Sequence, residues 1–203
     1  MKKIIFTVAA VFAFGFANAQ DKKEDNASGL GFAKGDIFIT GAFNVSSNND
    51  KNTDIKTNSF EIAPQVNFFL TENITLGAMI SYTNTKAENA IADVMDVSRI
   101  SFGLAGRYYF TPASQFSVFG ELAAEYASMT DNLSDPEFKV NGFAVAAAPG
   151  VVYHVSNHWS LEAKWAVLGF TSEKADVDGA ENATSFNFGA DLRDLSIGLN
   201  YKF

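Results

Sequence analysis

The sequence predicts an all-β protein, an eight-stranded antiparallel up-and-down transmembrane β-barrel. Three observations support this fold class. From about residue 35 to the end, apolar residues recur at every second position in eight segments. The connections between the segments alternate between short turns and long polar loops. Aromatic residues gather at both ends of the segments, as expected of a barrel wall that crosses two membrane–water interfaces.

Composition excludes several other classes of protein. The 203 residues suffice for one domain, and the absence of cysteine excludes disulfides and thiolate metal sites. A formal net charge of −8 argues against nucleic-acid binding. The mean hydropathy of +0.02 is too low for a bundle of membrane-spanning helices. It fits a barrel, in which lipid-facing and lumen-facing residues alternate.

The first 19 residues have the pattern of a signal peptide. Two lysines follow Met1, an apolar run covers residues 4–16, and Ala17-Asn18-Ala19 matches the small-x-small cleavage pattern. A membrane anchor is the alternative, but the run is shorter than the roughly 20 residues that span a bilayer. We therefore predict a signal peptide over 1–19, a short periplasmic tail over 20–33 and a barrel over 34–203.

The eight segments follow one another at intervals suited to a barrel wall. Each has about the 9–11 residues that cross a membrane at a tilt, and their number is even, as in single-chain bacterial barrels. In chain order they are Ile37–Val45, Phe60–Phe68, Ile74–Tyr82, Ile100–Phe110, Phe116–Tyr126, Phe143–Tyr153, Trp159–Val167 and Leu195–Phe203.

Three positions disturb the regular pattern. Pro64 and Pro149 fall inside segments where each backbone donor should be paired, so we expect a bulge or a strand end at each. The alternation also changes phase in the last segment, from even positions up to Leu192 to odd positions from Leu195. A bulge near Arg193 would reconcile the two phases.

The connections define the two ends of the barrel. Short turns are predicted near residues 70–73, 111–115 and 155–158, and long loops near 46–58, 84–97, 129–139 and 171–184. Outer-membrane barrels have short periplasmic turns and longer outer loops. With an even number of strands, this arrangement predicts that both termini are periplasmic.

Aromatic residues form two groups that match these two ends. The group beside the short turns comprises Phe68, Tyr108, Phe110, Phe116, Tyr153, Trp159 and Phe203. The group toward the long loops comprises Phe43, Phe60, Tyr82, Phe102, Tyr126 and Phe143. We expect them to form two girdles on the outer face.

The residues between the apolar positions indicate which face is wet. They are Gly, Ala and Ser with a few charges, which suits a crowded polar lumen, because an eight-stranded barrel is only wide enough for its interior side chains. A soluble lipocalin-like barrel, with its apolar face inward, is the alternative. Its outer surface would carry more Lys and Glu.

The charged residues of the predicted lumen should pair, since isolated charges there are costly. A hairpin turning at about residue 113 sets Arg107 opposite Phe119 and diagonal to Glu121, and Arg99 near Ala127. We predict one neutralising network, against the alternative of separate charges exposed near the rims. Its members are Glu61, Arg99, Arg107, Glu121, Glu125, Glu162 and Lys164.

The last segment carries a family resemblance. The run Leu195-x-Ile197-x-Leu199-x-Tyr201-x-Phe203 resembles the C-terminal strand of the outer-membrane β-barrel family that includes the OmpA membrane domain and OmpX. The resemblance covers about residues 34–203. It implies that Leu199, Tyr201 and Phe203 form an assembly signal read by the barrel-assembly machinery, and that lipid and lipopolysaccharide surround the wall. The simpler alternative is that this strand only faces lipid.

No pattern of residues points to catalysis. Both histidines, His154 and His158, flank one short turn and lack an evident third metal ligand, so we assign them to the interface. The outer loops contain no histidine, which excludes a Ser–His site there. The acidic loops match no calcium-binding spacing, and we treat them as solvated. We expect no enzymatic activity, no cofactor and no metal.

Two functions remain from the sequence. The first is a structural or surface-interaction role for a barrel whose polar lumen is filled by side chains. The alternative is a narrow passive pore for ions or small solutes. The sequence singles out no surface ligand.

Overall fold

The structure is a computed structural model that describes residues 30–51, 53–189 and 195–203. The predicted signal peptide and residues 20–29 of the predicted tail lie outside this range. In the described part, no helix is long and apolar enough to cross a membrane. The described elements form one antiparallel sheet of ten strands: β1 Ile37–Asp50, β2 Ile55–Phe69, β3 Ile74–Glu88, β4 Asp93–Tyr109, β5 Phe116–Asp131, β6 Phe138–His154, β7 Trp159–Trp165, β8 Leu168–Ala175, β9 Ala183–Phe188 and β10 Leu195–Lys202.

The ten strands make eight crossings of a closed barrel. Strands β1 to β6 pair with their neighbours in chain order. Strands β7 and β8 both pair with β6 and form the seventh crossing, while β9 and β10 form the eighth. Pairing of β10 with β1 closes the ring. The predicted eight-stranded barrel is confirmed.

The closing pair is short. Strand β1 pairs with β10 only from Phe38 to Gly41, opposite Lys202 to Leu199. Among the described residues, Leu195–Gly198 pair on one side only, with β7, and β1 beyond Gly41 pairs only with β2. The wall therefore has a seam between β1 and β10 on its loop-side half.

Pro149 faces a bulge, as predicted. Gly150 of β6 lies opposite Lys164, and Ala147 lies opposite Leu168. Two residues of β6 thus face three residues of the seventh crossing, so the extra residue separates β7 from β8. A proline has no N–H to donate to the neighbouring strand, so pairing is lost at the position where that N–H would be needed.

Pro64 is accommodated differently, and the prediction of a bulge or strand end there was wrong. Pro64 lies within β2, opposite Gly41 of β1. On the β3 side, pairing stops after Ile62 and resumes at Gln65 without a change of register. The missing N–H interrupts the ladder but inserts no residue.

The phase change in the eighth crossing is confirmed. Phe186 and Phe188 point outward at even positions, whereas Leu195 and Ile197 point outward at odd positions. The predicted bulge near Arg193 lies outside the described residues.

The strands are longer than the predicted segments. Strand β1 has 14 residues and β6 has 17. Most of the first two predicted long loops, and about half of the other two, is therefore strand. Among the described residues, the remaining turns occupy residue 51 with 53–54, and residues 89–92, 132–137 and 176–182. Both faces of a hairpin are wet once it leaves the membrane, so its residues lose the apolar alternation that reveals a strand.

The barrel is apolar outside and polar inside. Every aromatic residue of the two predicted girdles is exposed on the outer face except Phe203, which is half-buried. Arg107, Glu121 and Glu162 are buried within. This confirms the predicted wet lumen and argues against the soluble lipocalin-like alternative.

Both described chain ends lie at the short-turn end. The Phe32 amide donates to Pro112 in the turn between β4 and β5, and the Phe203 amide donates to Ile37. Which side of the membrane this end faces stays a prediction.

Candidate functional site

The lumen is the candidate site, and an aromatic plug closes its short-turn end. Period-two alternation turns an aromatic side chain inward near the short-turn ends of β1, β2, β4 and β5. A residue of the N-terminal segment joins them from below. The plug consists of Phe32, Phe38, Phe69, Tyr109, Phe119 and Val152, none of which is more than 2% exposed.

Phe32 is the centre of the plug. Its ring lies 4.6 Å from that of Phe38 and 5.0 Å from that of Phe69. The ring of His154 meets it edge-on at 4.5 Å. These separations are typical of favourable aromatic pairs, so the N-terminal segment is held inside the barrel by packing.

Backbone contacts fix the segment that carries Phe32. Gly31 has a φ of +101°, and a Cβ there would lie 2.6 Å from the backbone of Ala113. Lys202 donates to the Gly31 carbonyl and forms an ion pair with Asp36 at 3.5 Å. Only glycine suits that conformation and that approach.

A charge network lies directly above the plug. Arg107 donates from Nε to Glu121 at 2.6 Å and binds Glu162 through both terminal nitrogens at 2.8 and 3.0 Å. Lys164 completes it with a 2.6 Å contact to Glu121. Two cations and two carboxylates therefore neutralise one another in a buried site.

The network and the plug are in contact. Arg107 is 1% exposed, donates to the Tyr109 hydroxyl at 3.2 Å and lies 4.7 Å above the Phe119 ring centre. Gln65 also approaches Arg107 and Glu121, at 3.4 Å each. Together these side chains fill the lumen over the short-turn half of the barrel.

The remaining predicted network members lie nearer the loops. Arg99 binds Glu125 at 2.9 Å as a separate, partly exposed pair. Glu61 lines the lumen, and no cation lies within 4.0 Å of it among the described residues. The structure thus brings four of the predicted residues into one network, with Arg99 and Glu125 as a second group and Glu61 in neither.

The expected β4–β5 register was wrong by two residues. Arg107 lies directly opposite Glu121, and Arg99 lies opposite Met129. The midpoint of the observed register is residue 114, slightly later than the expected 113, within a turn that occupies residues 110–115. The direct pairing brings the guanidinium and the carboxylate closer than the expected diagonal would.

Above the network the lumen opens into a cavity of about 820 Å³. Its lumen-side lining includes Glu61, Ser81, Thr83, Arg99 and Lys164. The lumen is therefore a well that is closed at the short-turn end and open toward the loops.

The plug is the feature that the sequence analysis missed. Its members Phe38, Tyr109 and Phe119 sit at lumen-facing positions that were assigned to a polar face. The available signal was the position of these aromatics, each within a few residues of a short turn or a chain end. Aromatic residues at the lumen-facing positions of several strands, all near the same end, indicate that side chains fill the lumen at that end.

The two histidines flank the same short turn but differ in environment. His154 is buried against the plug, and its Nε2 has no hydrogen-bond partner among the described residues. His158 is exposed, and its Nδ1 lies 2.8 Å from the Lys202 carbonyl oxygen. In the described part of the chain, no group of three or more His, Cys, Asp or Glu could hold a metal ion.

The loop-side hairpins are tied together at Asp96. Its carboxylate binds Lys86 at 2.8 Å and accepts hydrogen bonds from Asn84 and Asn132 at 3.0 and 3.1 Å. These residues lie beyond the loop-side girdle, because Asn84 follows Tyr82, Asp96 precedes Phe102 and Asn132 follows Tyr126. The hydrogen bond from Lys86 lowers the pKa of Asp96 below 3.8.

Comparison with known proteins agrees with this architecture. The fold is similar to that of the outer membrane protein OprG from Pseudomonas aeruginosa, with a TM-score of 0.53, 15% identity, and coverage of 85% of this chain and 98% of OprG. The N-terminal barrel domain of OprF from the same organism gives a TM-score of 0.49, 13% identity and coverage of 85% and 100%.

No curated protein sequence matches this chain significantly. The family model for the outer membrane protein beta-barrel domain, however, matches residues 6–203. That match spans nearly the whole chain and includes all the strands described above. The protein therefore belongs to the outer membrane protein beta-barrel domain family.

Proposed function

We propose that this outer-membrane protein is a surface-interaction barrel whose lumen does not conduct. The observation that carries the proposal is the filled short-turn half of the lumen. The aromatic plug and the buried Arg107 network occupy it in direct contact with each other. A through-channel would have to displace both layers.

The loop-side hairpins supply the interacting surface. They extend past the loop-side girdle and are joined by hydrogen bonds such as those at Asp96. Acidic residues outnumber lysines in them, and the whole chain carries a net charge of −8. A surface of this kind favours basic partners through long-range attraction.

The apolar wall supplies the anchor. Its outward leucine, isoleucine and phenylalanine side chains between the girdles match the hydrocarbon layer, and the aromatic rings match its boundaries. We propose outer-membrane lipid and lipopolysaccharide as its neighbours. The short turns and both termini would face the periplasm, because outer-membrane barrels carry their longer connections outside. No step of this role requires catalysis.

Planar-bilayer recording tests the proposal. Purified protein is first shown to be folded by its faster migration in an unboiled gel sample, and its insertion is checked by flotation with lipid vesicles. We expect no steady single-channel current from inserted protein. Steady current from the wild-type chain would contradict the proposal and favour the narrow passive pore.

A further inference from the structure

The cavity above the charge network has two kinds of wall. On one side it is lined by luminal residues such as Glu61 and Thr83. On the other it is lined by Phe43 and Ile197, each 68% exposed on the outer face of the barrel, and by Leu195. One cavity therefore reaches from the polar lumen to the lipid-facing surface.

The seam between β1 and β10 explains this continuity. Extending the register beyond Gly41 and Leu199 would pair Ala42 with Gly198, but that pairing is absent. The seam lies level with the loop-side part of the apolar band, because Phe43 and Val45 are the last outward apolar residues of β1. The cavity thus opens sideways at the depth of the hydrocarbon layer.

Among the described residues, the charges that line the cavity leave one carboxylate without a cationic partner. Glu125 binds Arg99 at 2.9 Å, and Glu162 binds Arg107 at 2.8 Å. Lys164 is held by Glu121 at 2.6 Å. Among the described lining residues, Glu61 is the carboxylate without a cation within 4.0 Å.

These features define the chemistry of an occupant. An ammonium group offers three donors and a positive charge, which match an unpaired carboxylate. A cavity of about 820 Å³ is the size of a small-molecule site. Its apolar lateral opening accepts a hydrocarbon chain that a purely polar well would reject.

We propose that this cavity binds a single-chain amphiphile with a primary ammonium head. The head pairs with Glu61 inside the lumen. The chain leaves through the seam along Phe43 and Ile197 into the bilayer. The site goes beyond the proposed surface role and does not require the lumen to conduct, so a conductance result leaves it intact.

Calorimetry on the protein in lipid nanodiscs tests the site, with dodecylamine as the probe and empty nanodiscs as the blank. We expect saturable binding to the wild-type protein. E61Q keeps the shape of the side chain and removes its charge, so it should weaken binding about tenfold or more. The matched control is E88Q, because Glu88 is exposed on a loop-side hairpin and pairs with Lys56 outside the cavity.

Two further comparisons separate the head from the chain. Dodecanoate has the same chain with an anionic head and should not bind. Putrescine has ammonium groups without a long chain and should bind much more weakly than dodecylamine. F43A should weaken dodecylamine binding while leaving the weak putrescine binding unchanged.

The proposal is overturned if E61Q binds dodecylamine as tightly as the wild type does. Equal binding of dodecanoate would likewise reject the role of the carboxylate. Equal binding of putrescine and dodecylamine would reject the lateral chain path. Each variant is first shown to migrate as a folded barrel, so a loss of binding cannot reflect unfolding.

Discussion

At the scale of single residues, Arg107 is the cation that holds the buried charge network of the lumen together. Its guanidinium is buried and satisfies two carboxylates, one of them through two parallel hydrogen bonds. Burying a guanidinium costs free energy, but removing it costs more, because its carboxylate partners then remain buried without that cation. Arg99 offers a contrast, since its pair with Glu125 is partly solvated.

We expect R107M to lower the free energy of unfolding by about 3–5 kcal/mol, because among the described residues it leaves Glu121 with only Lys164 as a cationic partner and leaves Glu162 with none. Urea titration in lipid vesicles, followed by the folded gel band, measures the change. The control is R99M, which breaks a partly exposed pair and should cost about 1 kcal/mol or less. Equal losses from both variants would contradict a special role for Arg107.

Asp96 contributes to the pH dependence of stability in the loop-side hairpins. Because the hydrogen bond from Lys86 lowers the pKa of Asp96, the folded protein binds its proton less readily than the unfolded chain. The stabilisation of the folded state by the ionised Asp96 carboxylate is therefore complete above pH 3.8, and it is lost as pH falls through the lowered pKa.

We expect K86M to move the pKa of Asp96 upward toward 3.8, since hydrogen bonding by Lys86 is the largest cause of the lowering. Carbon-13 NMR titration of the carboxyl group in micelles measures this. The hydrogen bonds from Asn84 and Asn132 remain in the variant and should keep the hairpins in place. Identical titration curves would show that Lys86 does not hold the carboxylate.

At the scale of elements, the N-terminal segment before β1 acts as part of the barrel interior. It passes under the short-turn end, and its Phe32 completes the plug. Gly31 allows this path because its left-handed backbone lies against Ala113 without a side chain. The segment is thereby attached to the turn between β4 and β5, far from it in sequence.

We expect G31A to lower stability by about 1–3 kcal/mol, because a Cβ is strained at this φ and collides with the Ala113 backbone. The temperature at which the folded gel band disappears measures the change. G41A is the matched control, because a Cβ at Gly41 meets only the Leu199 carbonyl oxygen, at 3.9 Å. A G31A protein as stable as G41A would show that the segment is not fixed as described.

At the scale of the whole molecule, the last strand connects folding with assembly. Strand β10 closes the ring against β1, and the Phe203 amide donates to Ile37. Tyr201 lies 4.8 Å from the Trp159 ring and 5.1 Å from the Phe203 ring. We propose that Leu199, Tyr201 and Phe203, the last three residues of the alternating apolar run at the C-terminus, are also read by the barrel-assembly machinery.

We expect F203A to reduce the folded protein found in the outer membrane of cells severalfold while leaving refolding into lipid vesicles nearly unchanged. The reason is that recognition by a partner matters only in the cell, whereas packing matters in both settings. Quantifying the folded gel band in cells and in vesicles distinguishes a role of Phe203 in recognition from a role in packing. The control is F116A, another girdle substitution beside a short turn. Equal loss in vesicles would assign Phe203 a purely structural role.

The sequence by itself determined the barrel, its number of membrane crossings, and its apolar outer and polar inner faces. Each follows from a local pattern, because a membrane requires one apolar residue in two along every crossing. The girdles and the short turns are likewise readable locally. The same reasoning failed for the hairpins beyond the girdle, where water on both faces removes the pattern.

Only the tertiary structure decided what the lumen contains. Gathering Phe32, Tyr109 and Phe119 into a plug depends on which strand ends reach the same level. Pairing Arg107 with Glu162 joins residues 55 positions apart across the barrel. The seam beside Phe43 appears only where β1 and β10 diverge. Closure of the ring sets all three, because it brings together residues that no local pattern relates.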